Sequence, residues 1–123
     1  MTKIVNIESC FAKFTDTFSP KVICELNGQH VKVVRLEGDK VPWHTHDGED
    51  ELFWVLEGAL EVHERERTVT LGPGELCVVP RGVEHRVVPM GHTRLVLFEP
   101  AEIAHTGTVR SEITQDGPEF LET

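Results

Sequence analysis

The apolar positions of this chain change period once. Near the start, Ile7, Phe11, Phe14 and Phe18 recur at intervals of four, three and four residues, the spacing of one helical face. Asn6 can cap such a helix and Ser19-Pro20 can stop it. The pattern predicts a short helix over 7–15, packed by its phenylalanines on the rest of the protein. A loop with buried aromatics is the alternative. From Pro20 onward the signal is short strands and turns. Val22 to Leu26 ends at Asn27-Gly28, and Val31 to Leu36 at Gly38-Asp39. Leu52 to Leu56 is apolar throughout and ends at Gly58. Leu60 and Val62 alternate with Glu61 and His63, and Val69 and Leu71 with Thr68 and Thr70. Leu76 to Val79, Val87-Val88 and Leu95 to Phe98 follow, each closed by a proline-bearing turn. Many short strands at regular spacing point to an all-β sandwich or barrel. The chain divides into a helix and arm over 1–21, a β-domain over 22–100, and a polar C-terminal arm over 101–123.

The length of 123 residues suits one domain and can bury one core without staples. Twelve basic and 21 acidic residues leave a formal charge of -9, which argues against nucleic acid or an anionic membrane as partners. Solubility is the simpler use of that acidity. The opening residues form no signal peptide, and no apolar run is long enough to span a bilayer, so the cytoplasm is the expected compartment. The three cysteines, Cys10, Cys24 and Cys77, form no CxxC pair. Cys24 and Cys77 lie in apolar runs and are expected as core thiols.

Histidine placement changes the picture most. His44 and His46 are separated by one residue, so on a strand both leave the same face. After the polar turn 47–50, Glu51 begins the next strand, which can return antiparallel beside the first. His85 follows the turn Pro80-Arg81-Gly82, where fixed and permissive backbones together can aim a side chain inward. Three imidazoles and a carboxylate make a mixed nitrogen and oxygen set. It suits one divalent transition metal (Fe, Mn, Ni, Co or Zn) and suits Ca or Mg poorly. The other reading of these four is a polar loop cluster without metal.

The stretch GDKVPWHTHDGEDELFWVLEG carries Gly38, His44, His46, Glu51 and Gly58 at the spacings of the first cupin motif. GELCVVPRGVEHRVVP resembles the second, through Gly74, Pro80, Gly82 and His85; Pro89 stands where that motif closes on Asn, which is not a ligand position. The chain thus resembles small single-domain cupins, some labelled mannose-6-phosphate isomerase-like. The resemblance implies a double-stranded β-helix, or jelly-roll barrel, with a metal at His44, His46, Glu51 and His85, and a homodimer. It leaves the reaction open, because cupins include isomerases, dioxygenases, decarboxylases, sugar-binding regulators and storage proteins.

Phe53 and Val55 share the parity of Glu51 and should line the interior, with Cys77 or Val79, and Leu95 or Leu97, completing a mostly apolar pocket. Trp43 forms the rim or packs. Leu52, Trp54 and Leu56 make the other face of the same strand apolar, so the N-terminal helix or a second subunit should cover it. Glu49 and Asp50 are solvated turn residues or a general base. Arg81, Arg86 and Arg94 pair with surface carboxylates or hold an anion. His63 and His92 read as strand-surface and turn residues, and His30 and His105 have no partner spacing. No acid or base beyond the four ligands is evident. Three functions follow: a metal-dependent enzyme on a small molecule, of dioxygenase or isomerase/lyase type, a metal-dependent module that binds or senses a small ligand without turnover, or a metal-free structural cupin.

Overall fold

A computed structural model describes residues 1–101 and 117–123. Helix α1 spans Ile7–Phe11, shorter than the predicted 7–15. Asn6 caps it by accepting a hydrogen bond from the Ser9 amide at 2.9 Å. Its far end stops because Arg35 takes the carbonyls: the guanidinium donates to Phe11 O at 2.7 Å and to Phe14 O at 3.1 Å. In a longer helix the Phe11 carbonyl would accept from residue 15. The Arg35 head also lies 5.3 Å from the Phe11 ring centre and 5.4 Å from that of Phe14.

Nine strands follow among the described residues: β1 Lys21–Leu26, β2 Gln29–Leu36, β3 Glu51–Glu57, β4 Leu60–Glu64, β5 Thr68–Leu71, β6 Leu76–Val79, β7 His85–Pro89, β8 Thr93–Pro100 and β9 Glu119–Phe120. They form a six-stranded sheet in the order β6-β3-β8-β2-β1-β9 and a three-stranded sheet in the order β5-β4-β7. All pairs are antiparallel except β1 with β9. The β1–β2 hairpin turns on Asn27 and Gly28, both at positive φ (51° and 77°), the conformation a two-residue hairpin favours. This is the all-β jelly-roll barrel the sequence implied, with one short helix at its start.

Between the sheets lies the main core. Val34, Phe53, Val55, Leu95 and Leu97 of the large sheet meet Leu60, Val62, Leu71 and Val87 of the small one. The outer face of the large sheet carries a second cluster, where Cys10, Phe11 and Phe14 pack on Ile23, Val33 and Val96, with Trp54 and Leu56 beside them. So α1 covers part of the outer face of β3. Toward the β6 edge that face stays open: Leu76 and Val78 are each 51% exposed.

Cys24 is exposed, not a core thiol. The β1–β2 register slips between Val22, opposite Lys32, and Cys24, opposite Val31. A bulge at Ile23 moves Cys24 off the inner face that Val22 occupies. Cys77 is partly buried against the inner core. His105 and most of the predicted C-terminal arm lie outside the described residues. No helix among the described residues is long and apolar enough to cross a membrane.

Candidate metal centre

His44 and His46 do not lie on a regular strand. Pro42 offers no amide to a ladder, and the segment before β3 makes one isolated bridge, between His44 and His85. Nor does it pair with β3, whose neighbours are β6 and β8. The loop of the second motif docks on it instead: Gly82 N donates to His46 O at 2.8 Å. Gly82 adopts φ 80°, a conformation open to glycine at little cost. Asp50 ties the same loops by accepting from the Arg81 amide at 2.9 Å. Glu51 opens β3 and His85 opens β7, one from each sheet, both turned inward.

These elements bring His44, His46, Glu51 and His85 together. One ligand atom from each lies within 4.8 Å of the other three. None of the four residues is more than 3% exposed. Each imidazole is oriented through Nδ1, which donates to Pro42 O in His44 (2.8 Å), to Glu49 Oε1 in His46 (2.7 Å) and to Val83 O in His85 (2.9 Å). Those acceptors fix the tautomer, because a carbonyl or carboxylate oxygen cannot donate. In a neutral ring, Nε2 then carries a lone pair aimed at the centre of the cluster. Nε2 of His44 is buried without a hydrogen-bond partner. Nε2 of His46 lies 3.0 Å from Glu51 Oε2, and that of His85 lies 3.2 Å from Glu51 Oε1. Lone pairs at that distance from a buried carboxylate repel unless a cation, a proton or a metal, lies between them. The donor set therefore fits a divalent transition ion, and the cluster is a candidate metal site.

Without metal, protons take that place. Burial would lower the pKa of His46, but hydrogen bonds and charge from Glu51 and Glu49 outweigh it and raise the pKa to about 9. Burial alone would raise the pKa of Glu51; His46 and His85 reverse this and hold it at about 2. Burial lowers the pKa of His44, which keeps that ring neutral.

A cavity of about 40 Å³ adjoins the cluster, with His44 and Glu51 in its wall and Phe18, Val34, Leu36, Phe53, Leu95 and Leu97 among its apolar lining. That is room for roughly three water-sized groups. Val55 lies in the core and outside this lining, fully buried. Trp43 is outside the lining too; the Arg65 head sits 3.8 Å from its ring centre and that of Arg86 5.5 Å. Glu49 is not a free turn residue, since its carboxylate accepts from His46 Nδ1. Arg81 pairs with Asp50, Arg86 with Asp39, and Arg94 with Glu8 and Glu57.

Glu99 and His30 are among the buried polar groups that had no sequence expectation as site residues. Glu99 is 1% exposed and pairs with Lys32 at 2.7 Å. Burial and the nearby charge of Glu51 raise its pKa. His30 is 3% exposed. Strand parity was the available signal, because Glu99 shares a face with Leu95 and Leu97.

The cupin domain family matches residues 31–105. The chain is 30% identical over 87 residues to the uncharacterized protein YdbB of Bacillus subtilis, spanning 70% of this chain and 76% of that one. An oxalate-binding protein of Thermotoga maritima is 31% identical over 58 residues, 47% of this chain and 48% of the relative. Among solved structures, a cupin-2 domain protein of Shewanella frigidimarina superposes with a TM-score of 0.77 at 37% identity, covering 79% of this chain and 94% of the other. Paired motifs, barrel and converging histidines agree with these matches: the chain belongs to the cupin family.

Proposed function

We propose that His44, His46, Glu51 and His85 hold one divalent transition metal (Fe, Mn, Ni, Co or Zn), and that the protein acts on a small oxygen-bearing molecule bound beside it. One observation carries this reading. Two imidazole Nε2 atoms face Glu51 oxygens at 3.0 and 3.2 Å while their Nδ1 hydrogens are committed elsewhere. A bound ion would supply Lewis acidity toward a ligand oxygen and, if it is iron, a route to dioxygen chemistry. The residues of the chain do the rest. Pro42, Val83 and Glu49 orient the rings, and the apolar lining limits ligand size and excludes water.

The enzyme reading is dioxygenase or isomerase/lyase chemistry. The second reading is binding without turnover, and the oxalate-binding relative favours it. We further propose a homodimer formed through the open outer face around Leu76 and Val78, with half-buried Leu52 and Phe98 beside them.

Elemental analysis of unchelated full-length protein tests the metal. Roughly one equivalent of a transition metal is expected, with a lower melting temperature after chelation and loss of metal in His44→Ala and His85→Ala. No uptake of any of the five metals would refute it. Oxygen uptake by the Fe(II)-loaded protein across catechols, diketones and small carboxylates then separates turnover from binding.

A further inference from the structure

The inner face of the large sheet continues past the metal cluster as a polar strip. Leu52 of β3 lies opposite Phe98 of β8, which makes Glu99 the next inward neighbour of Glu51. On the other side of Glu99, β2 places His30 in direct register, and Lys32 stands opposite Leu97. All three residues are at most 3% exposed. Lys32 neutralises Glu99 through Oε1 at 2.7 Å, so the pair is a buried dipole with no excess charge. Among the described residues, the second carboxylate oxygen, Glu99 Oε2, has no hydrogen-bond partner, and neither has His30 Nδ1.

Two orphaned polar atoms on residues paired in register, both out of water, cost stability while they stay unpaired. Their chemistry limits what that can be. His30 Nε2 faces the Glu25 carboxylate at 3.2 Å, so it carries the ring hydrogen. In that tautomer Nδ1 is an acceptor, and so is Glu99 Oε2 when the Lys32 ammonium at 2.7 Å holds the carboxylate ionised. Two acceptors call for a donor. The Lys32–Glu99 pair already balances its own charge, so a neutral hydroxyl suits the place better than a cation.

We propose that Glu99 and His30 form a hydroxyl-binding subsite beside the metal centre, selecting small ligands that place one oxygen on the ion and a hydroxyl one or two carbons away. This deepens the metal reading and rests on it. Glu99 Oε2 accepts the ligand hydroxyl, Lys32 fixes the carboxylate that does so, and His30 closes the far side. A site built to accept a donor discriminates strongly against an analogue lacking it, because the buried acceptor is then left unpaired.

The test compares 3-hydroxypropionate with propionate by calorimetry on the metal-loaded full chain. In this pair the hydroxyl is removed from the α position, where it would chelate metal most readily. The wild type is expected to prefer the hydroxylated acid by about tenfold or more. The variant Lys32→Met/Glu99→Leu removes both partners of the buried pair and avoids stranding one charge; in it the preference should fall to near one at unchanged metal content. Equal affinities in the wild type, or a preference that survives in the double variant, overturn the subsite. A crystal soaked with 3-hydroxypropionate gives a readout independent of variants: its hydroxyl should lie about 3 Å from Glu99 Oε2, and a hydroxyl on the metal or in solvent overturns the proposal. Metal content measured on the same samples separates failure of the metal reading from failure of this one. In protein that takes up no metal, a crystallographic water bridging Glu99 Oε2 and His30 Nδ1 supports the subsite, and its absence overturns it.

Discussion

His44 and His85 exchange both of their backbone hydrogen bonds, His44 N to His85 O at 2.9 Å and His85 N to His44 O at 3.0 Å. The bridge joins the two motifs at the residues that carry the imidazoles. The rings lie 4.4 Å apart, centre to centre. Their orienting acceptors, Pro42 O and Val83 O, are main-chain atoms of the same two segments. Backbone geometry thus sets both rings, and no side-chain exchange can delete those two acceptors.

The third histidine differs, because His46 is oriented by the Glu49 side chain at 2.7 Å. Glu49→Ala should weaken metal binding about 10–100-fold, the usual cost of losing an outer partner of a ligating histidine. Glu49→Gln keeps an acceptor oxygen and should lose less. Competition titration with a chromogenic chelator measures both. Equal affinity in Glu49→Ala and wild type would show that the contact does not steer the ring.

Protons and metal compete for the same lone pairs. With the His46 pKa at about 9 in metal-free protein, metal must displace a proton throughout the neutral range. Affinity should rise about tenfold per pH unit toward pH 9 and then level. Stability of the metal-free protein follows the same two groups with opposite signs. The raised His46 pKa stabilises fully below its ordinary 6.5, and that contribution is lost as pH climbs through about 9. The lowered Glu51 pKa stabilises above its ordinary 4.5, and that contribution is lost as pH falls toward about 2. Both contributions are full between about pH 4.5 and 6.5, so the melting point of metal-free protein should fall from pH 6.5 toward 9. Melting curves with and without chelator across pH 3 to 10 check this; a melting point that climbs from pH 6.5 to 9 without metal would contradict it.

Gly58 closes the first motif for a steric reason. A Cβ there would meet His92 O at 2.5 Å and Thr93 Oγ1 at 2.7 Å, and its φ is 84°. The obstacle includes backbone, and Thr93 is fully buried. Gly58→Ala should cost about 2 kcal/mol or more, from overpacking and left-handed strain together. Urea unfolding measures it. A control at Gly28, where φ is also positive (77°) but nothing lies within 4 Å, should lose less.

The barrel and the four converging residues were legible because spacing encodes them. Period-two alternation marks β4 and β5, and glycines mark the turns between strands. The order of the ligands along the chain survives any detail of local geometry, so the expectation that His44 and His46 sit on a strand was wrong in form yet still placed them on one side. What escaped depends on register. Cys24 turned outward because a bulge at Ile23 shifted its parity, and no residue type announces that bulge. The helix stopped early because Arg35, distant in sequence, took its last carbonyls. Glu99 and His30 meet through the β2–β8 pairing, which alternation alone cannot supply. Trp43 went to Arg65 and Arg86 and away from the cavity, a choice made by neighbours on the opposite sheet.

Arg35 has a wider consequence for how this molecule opens. A five-residue helix cannot persist by itself, since nucleation alone outweighs the few bonds it makes. Its carbonyls are held from β2 and its rings lie on the sheet, so α1 exists only on an already assembled surface. The imidazole cluster lies on the inner side of that sheet, and no residue of α1 lines the cavity beside it, so α1 and the cluster are served by opposite faces.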